Sequence, residues 1–259
     1  MLRRDTVVAG AAAVFFYHRA VARSLFNPSA SEPFPVSRSK LELFLECPRC
    51  FWLDRRAGVS RPDAARYTLN LAVDVLMKRE FDACRIDAIP HAVMVRHGVE
   101  AIPFRHPQLS TWRDTPNGIR FAHTSGIELF GIVDDVWIDA SGAVFPVDYK
   151  ATSTHGVPSL DDRASYKRQL DVYGWLLSKN GLSVAQRGYV VFANADRDRS
   201  ALDGALRFSL SIAEHRLDMG WIDEALLAVC ECLASDVCPP STNGCAWCAY
   251  RRDARASEA

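Results

Sequence analysis

The sequence has no excess of charge of either sign. Thirty-one Lys and Arg stand against 31 Asp and Glu, and the isoelectric point is about 7.0. A globally basic surface of the kind that draws nucleic acid is thereby excluded, although a local basic groove is not. No apolar run reaches the length that a membrane span requires. No internal repeat is present. The N-terminal stretch MLRRDTVVAGAAAVFFYHRA begins like a secretory signal, with two arginines and a short apolar segment, but lacks a small-residue cleavage site leading into a mature domain. Residues 1–36, which end in FNPSASEPFPV, are therefore expected to be a poorly ordered extension or an early start rather than an export signal, and the protein is expected in the cytoplasm with no membrane partner. What is present is ordinary globular composition: 259 residues, 49% hydrophobic and 24% charged, enough for one large domain or two small ones.

Cysteine is abundant. Of eight, Cys84, Cys230 and Cys232 read as small buried hydrophobes. Two Cys-x-x-Cys pairs read otherwise: Cys47 with Cys50 in ECPRC, and Cys245 with Cys248 in GCAWC. Disulfides are disfavoured in a reducing compartment, so clustered cysteines there suggest a metal. Two pairs supply the four thiolates of one tetrahedral zinc, or of an iron–sulfur cluster.

Periodicity predicts a helix that starts at Ser37 or Ser39 and is ended or bent by Pro48. A second runs from about Tyr67 to Cys84, with Leu69, Val73, Leu76 and Phe81 as its apolar positions. Residues 90–120 give no clear pattern. IELFGIVDDVWIDASGAVFPVDYKAT reads as a hairpin whose turn is DASG. A helix is expected over Arg163–Lys179, stopped at Asn180–Gly181, then a strand in GYVVFANA and a helix near Trp221–Leu233. Strands followed by helices predict an α/β fold. The last residues, 251–259, read as a disordered tail.

The chemistry begins at Asp148 and Lys150. Two apart on a strand, they leave one face of a segment apolar enough to be buried, where unpaired charge is very costly. Alone, the pair is better explained as a structural ion pair, because so short a pattern occurs often by chance. Asp134 and Asp135 in the preceding strand point to opposite faces, so at most one of them joins it. Gln169 and Tyr173, four apart, share one side of the following helix.

Taken in order, Gly131-x-x-Asp134, Asp148-x-Lys150 and Gln169-x-x-x-Tyr173 resemble the RecB-like branch of the PD-(D/E)XK nuclease superfamily, over roughly residues 37–250. The resemblance implies a restriction-endonuclease-like mixed central sheet flanked by helices, with the N- and C-terminal parts joined at the cysteines. It selects Asp134 over Asp135, leaving Asp135 dispensable to the chemistry. It implies that Asp134 and Asp148 hold Mg or Mn, with the Tyr149 carbonyl as a third ligand. Lys150 then orients water or stabilises the pentacovalent phosphate, and Gln169 and Tyr173 position phosphate or water. Where the family often places a metal-binding His, this chain has Asp74, a ligand or a solvated helix residue. Some relatives of this branch, the AddB type and the CRISPR-associated exonucleases, carry a 4Fe-4S cluster on one early and three late cysteines. Here the simplest set is Cys47, Cys50, Cys245 and Cys248, with Cys238 competing with Cys50, and iron–sulfur or zinc as the occupant. The implied partner is DNA, in the setting of DNA repair and of a larger nuclease or helicase complex. Two other readings stand beside the nuclease: a catalytically silent nucleic-acid-binding or scaffold module of the same fold, and a zinc-stabilised hydrolase with another substrate.

Overall fold

The computed structural model describes residues 25–62, 68–115 and 117–258. The expectations for residues 1–24, for Tyr67 as a helix start and for Ala259 lie outside them.

Two mixed sheets meet where one run of sequence crosses between them. The larger has five strands in the order β2 (Ile102–Pro103), β5 (Asp135–Ile138), β6 (Val144–Thr152), β7 (Arg187–Ala195), β8 (Phe208–Arg216). All its neighbours are antiparallel except β6 and β7, which run parallel. A parallel pair needs a crossover, and α6 (Ala164–Lys179) supplies it. The smaller sheet is β1 (Phe34–Ser37), β4 (Ile127–Gly131), β3 (Ile119–Ala122). This is the expected α/β class, a mixed sheet flanked by helices.

The expected hairpin is β5 and β6. Its turn is closed by Asp139, whose Oδ1 accepts from the backbone N–H groups of Ser141 and Ala143. The strand preceding that turn is not continuous, however. It breaks after Gly131, and residues 132–134 pass from the small sheet to the large one. Gly131 lies against the Tyr173 ring: a Cβ there would meet Tyr173 Cε1 at 2.8 Å. The glycine lets α6 pack onto the point of crossing, and Asp134 follows three residues later, just before β5 rather than within it.

Alternation on β6 sorts its side chains. Phe145, Val147 and Tyr149 join Trp137, Tyr189 and Val191 in a core covered by α3 (Thr68–Asp87) through Val73, Met77 and Phe81. The other face meets α6, where Leu170 packs with Val190 and Phe192. A further core joins the small sheet to α6, to α7 (Ile222–Ala234) and to α1 (Arg38–Glu46) and α2 (Pro48–Arg55). Ser37 caps α1 by accepting from the Lys40 N–H, and Pro48 opens α2 at its first turn, as its fixed φ favours. The short helices α4 (Ala92–Arg96) and α5 (Leu109–Trp112), with β2 and β3, fill the unread stretch 90–120.

Three expectations are corrected. Residues 34–36, expected in the poorly ordered extension, belong to strand β1: Phe34 and Val36 alternate into the core, and the strand pairs in parallel with β4. On α3, Leu69 and Leu76 face solvent, and the buried stripe is Val73, Met77, Phe81 and Arg85. Residues 251–258 are not a disordered tail but continue α8 (Ala246–Glu258), as their Arg, Ala and Glu content favours. No helix among the described residues is long and apolar enough to cross a membrane.

Candidate active site and cysteine centre

The crossing point and the end of β6 bring the charged residues together. Asp148 is buried. Its Oδ1 accepts from Gln169 Nε2 at 2.7 Å, and that same amide lies 2.8 Å from the Tyr173 hydroxyl. Its Oδ2 pairs with the Lys150 ammonium yet is buried without a well-directed hydrogen bond. Asp134 accepts the Tyr149 N–H at Oδ2, 3.0 Å, and pairs through Oδ1 with Lys78 at 3.1 Å. Lys78 also holds Asp74 at 2.9 Å. Asp134, Asp148, Lys150, Gln169, Tyr173 and Asp74 thus belong to one connected group, with Asp74 joined to it through Lys78. Lys78 went unread in the sequence; its position one turn after Asp74 on the same helix stripe was the available signal.

The two carboxylates respond oppositely to this setting. Burial pushes Asp148 up to about 7, helped by the charge of Asp134 and opposed by Lys150. Burial also raises Asp134, but Lys78, Lys150 and the Tyr149 N–H outweigh it and hold it below its ordinary value. Two acids pushed apart in this way form one coupled site. A buried carboxylate oxygen matched only by the Lys150 ammonium, beside a second carboxylate, is a donor set that a hard divalent cation satisfies.

Asp135 leaves the opposite side of the strand, as alternation requires, but it is not a bystander. Fully buried, it accepts from Arg85, from Arg113 at 2.8 Å and from the Tyr149 hydroxyl at 2.6 Å. Tyr149 therefore joins the two faces: its N–H holds Asp134 and its hydroxyl holds Asp135.

The four expected cysteines also converge. Cys47, Cys50, Cys245 and Cys248 have Sγ atoms all within 4.8 Å of one another, with Cys50 3.6 Å from Cys248 and 3.7 Å from Cys245. Each pair straddles a helix start. Cys47 is the N-cap of α2 with Cys50 in its first turn, and Cys245 directly precedes α8 with Cys248 in its first turn. Free N–H groups at helix starts favour thiolates. Burial opposes ionisation of Cys47, but the Thr242 and Cys50 N–H groups and the neighbouring thiols bring it down to about 6. Burial and those same thiols push Cys248 up to about 12. Several thiolates at this spacing repel unless a cation lies between them. Cys238 is apart, its Sγ directed at the Pro239 carbonyl; Cys50, not Cys238, completes the set.

The profile of the PD-(D/E)XK nuclease superfamily matches residues 68–252. The chain belongs to this superfamily. The match takes in the whole charged cluster and the late cysteine pair and begins after the early pair. Among curated proteins none matches the chain. One solved structure, titled "Crystal structure of SSO0001", is similar at 16% identity over 78% of this chain and 76% of that one, with a TM-score of 0.30. A likeness that distant carries no argument about the superfamily member in hand.

Proposed function

We propose that the protein is a metal-dependent DNA nuclease of the RecB-like branch. The observation that carries this reading is the convergence of Asp134, Asp148, Lys150, Gln169 and Tyr173, drawn from three separate segments, on one buried point. Asp134 and Asp148 would hold Mg or Mn, with the Tyr149 carbonyl as a further ligand and Asp74 within reach through α3. The cation would lower the pKa of bound water and offset the charge of the phosphodiester. The remaining work falls to side chains. Lys150 stands against Asp148, where its ammonium can orient the attacking water and meet charge that develops on the phosphate. Gln169 fixes Asp148 and the Tyr173 hydroxyl at once, so that both hold their directions before substrate arrives. A silent scaffold has no need of buried carboxylates whose charge is so costly.

For the cysteine centre the spacing supports one tetrahedral ion. Zinc–sulfur bonds of about 2.3 Å set the sulfurs of a tetrahedron about 3.8 Å apart, close to the 3.6 to 3.9 Å found here for three of the contacts. A cube of four irons and four sulfides must sit between its thiolates and holds them well beyond that spacing. We therefore favour zinc over the iron–sulfur cluster that the resemblance implies.

The test is direct. Purified protein is incubated with labelled single- and double-stranded DNA in Mg, in Mn and in EDTA, beside Lys150→Ala. Cleavage should require the cation and fall by about 10²–10³-fold in the variant, with its fold and DNA binding retained. Equal activity in wild type and Lys150→Ala would remove the nuclease reading.

A further inference from the structure

Beside the charged cluster lies a cavity of about 330 Å³ whose walls no part of the chemistry uses. Two elements run from the cluster directly into it. Along α3, Lys78, Asp74 and Asn70 are spaced four apart and form one stripe; Lys78 and Asp74 belong to the cluster and Asn70 lines the cavity. Along β6, Lys150 is followed at once by Ala151, Thr152 and Ser153, which also line it. The offset is one helical turn, about 5.4 Å, on one side and two or three strand residues, about 7–10 Å, on the other. That is the reach of a single nucleotide.

The lining suits a base rather than a phosphate. Its surface is mainly apolar, from Leu69, Val73, Leu206 and the ring of Phe208. Leu69 and Leu206 are exposed there. Polar groups are few and stand where base edges and backbone would need them. Asn70 offers an amide, and the exposed Arg197 holds its guanidinium at the rim, donating to the Ser153 carbonyl at 3.4 Å. A cavity of this size and character is typical of small-ligand sites.

Building on the nuclease reading, we infer that this cavity is a nucleobase subsite: it receives the unstacked base of the nucleotide next to the scissile phosphate, with Arg197 on the adjoining phosphate. A base can enter only if its strand is unpaired, so the favoured substrate is single-stranded DNA or a frayed end.

The experiment uses single-stranded oligonucleotides with one cleavable linkage, intact or with an abasic residue on its 5′ or its 3′ side. Full-length wild type, Leu206→Ala and Ser153→Trp are compared in Mn, with circular dichroism checking each fold. One of the two abasic substrates should lose about tenfold in kcat/KM, chiefly through KM, as a base that loses its platform does. Ser153→Trp, which fills the cavity, should show that loss already on the intact substrate and no further loss on the abasic one. Leu206→Ala should lie between. Equal cleavage of all three substrates by wild type overturns the subsite and leaves the nuclease reading standing. So does an abasic penalty that neither variant alters. Wild type that cuts none of them in Mg or Mn overturns the nuclease reading and the subsite with it.

Discussion

Adjacent residues in this protein carry unlike burdens, and Asp134 and Asp135 make the case. Both are acids, one residue apart, yet Asp134 faces two lysines and a backbone N–H, while Asp135 is the buried partner of two arginines and a tyrosine. Asp134→Ala should abolish cation-dependent cleavage and leave the melting temperature within a few degrees of wild type. Asp135→Ala strands Arg85 and Arg113 in the interior, a loss of about 3–5 kcal/mol, and should appear as insoluble or low-melting protein. Thermal melts and cleavage assays on both variants check this; a stable, active Asp135→Ala would contradict it. The sequence placed Asp135 on the far face correctly but left it without a role, because its arginine partners lie far along the chain. Asp148 yields a pH effect. Its native pKa of about 7 exceeds the unfolded value of about 3.9, so the native state holds this proton more tightly. Its contribution is complete at low pH and is lost as pH rises through about 7. Without divalent cation, Asp148→Asn should therefore gain on wild type between pH 5 and pH 8 by at least about 3 °C, or about 1 kcal/mol. Added Mg at pH 8 should raise the melting temperature of wild type and not of the variant. An unchanged gap at the two pH values would count against the burial argument.

Among the elements, the crossing from β4 to β5 does the most to build the site, and it rests on Gly131. A methyl group there would collide with the Tyr173 ring and, through it, with the α6 helix that carries Gln169. Gly131→Ala should cost about 1–3 kcal/mol, the usual range for overpacking. It should lower cleavage by more than that loss of folded protein explains, because Gln169 and Tyr173 are displaced together. Activity measured per folded molecule, with the folded fraction taken from denaturant titration, separates the two. The strong elements were legible in the sequence where clear stops bounded them: the β5–β6 hairpin from two β-rich runs around its DASG turn, α6 from its Asn180–Gly181 stop. The break after Gly131 was not, since IELFGIVDDVWI reads as one continuous β-rich run and the tertiary approach of Tyr173 marks where it divides. Strand β8 went unread because FSLSIAEHR is half polar along an edge, where burial demands little of it. The stretch 90–120 is cut into elements of two to five residues, each held by its neighbours rather than by local periodicity. On α3 Val73 and Phe81 were legible as buried, but Leu69 and Leu76 drew the apolar face too wide, and no sequence pattern reveals that Arg85 is buried for Asp135.

For the whole molecule the decisive contact joins the two ends of the described chain. Cys47 and Cys248 are about two hundred residues apart and their sulfurs are 3.9 Å apart. This convergence was legible from the paired Cys-x-x-Cys spacing alone, because four soft ligands at fixed local spacing leave few other uses. A bound ion closes that long loop only in the folded state, so its binding energy becomes folding energy. α8 depends on it most: none of its residues is buried, and apart from the cysteines little fixes it to the core. Cys248→Ser should therefore lower stability by about 3 kcal/mol or more, read as a drop of about 6–12 °C in melting temperature. Amide exchange over α8 should accelerate to that of an unprotected chain, while protection in β6 and β7 falls only to the new global limit. Cys238→Ser should leave both unchanged. Metal analysis of wild type should find one zinc per chain, and removal by a strong chelator should reproduce the Cys248→Ser melt. Cleavage by the chelated protein, once its Mg or Mn is restored, should be lost in proportion to unfolding rather than to metal content, since the cysteine site lies outside the hydrogen-bonded cluster of Asp134 and Asp148. Protein that contains neither zinc nor iron, or a Cys248→Ser variant that melts with wild type, would show that the thiols cluster without a metal to hold.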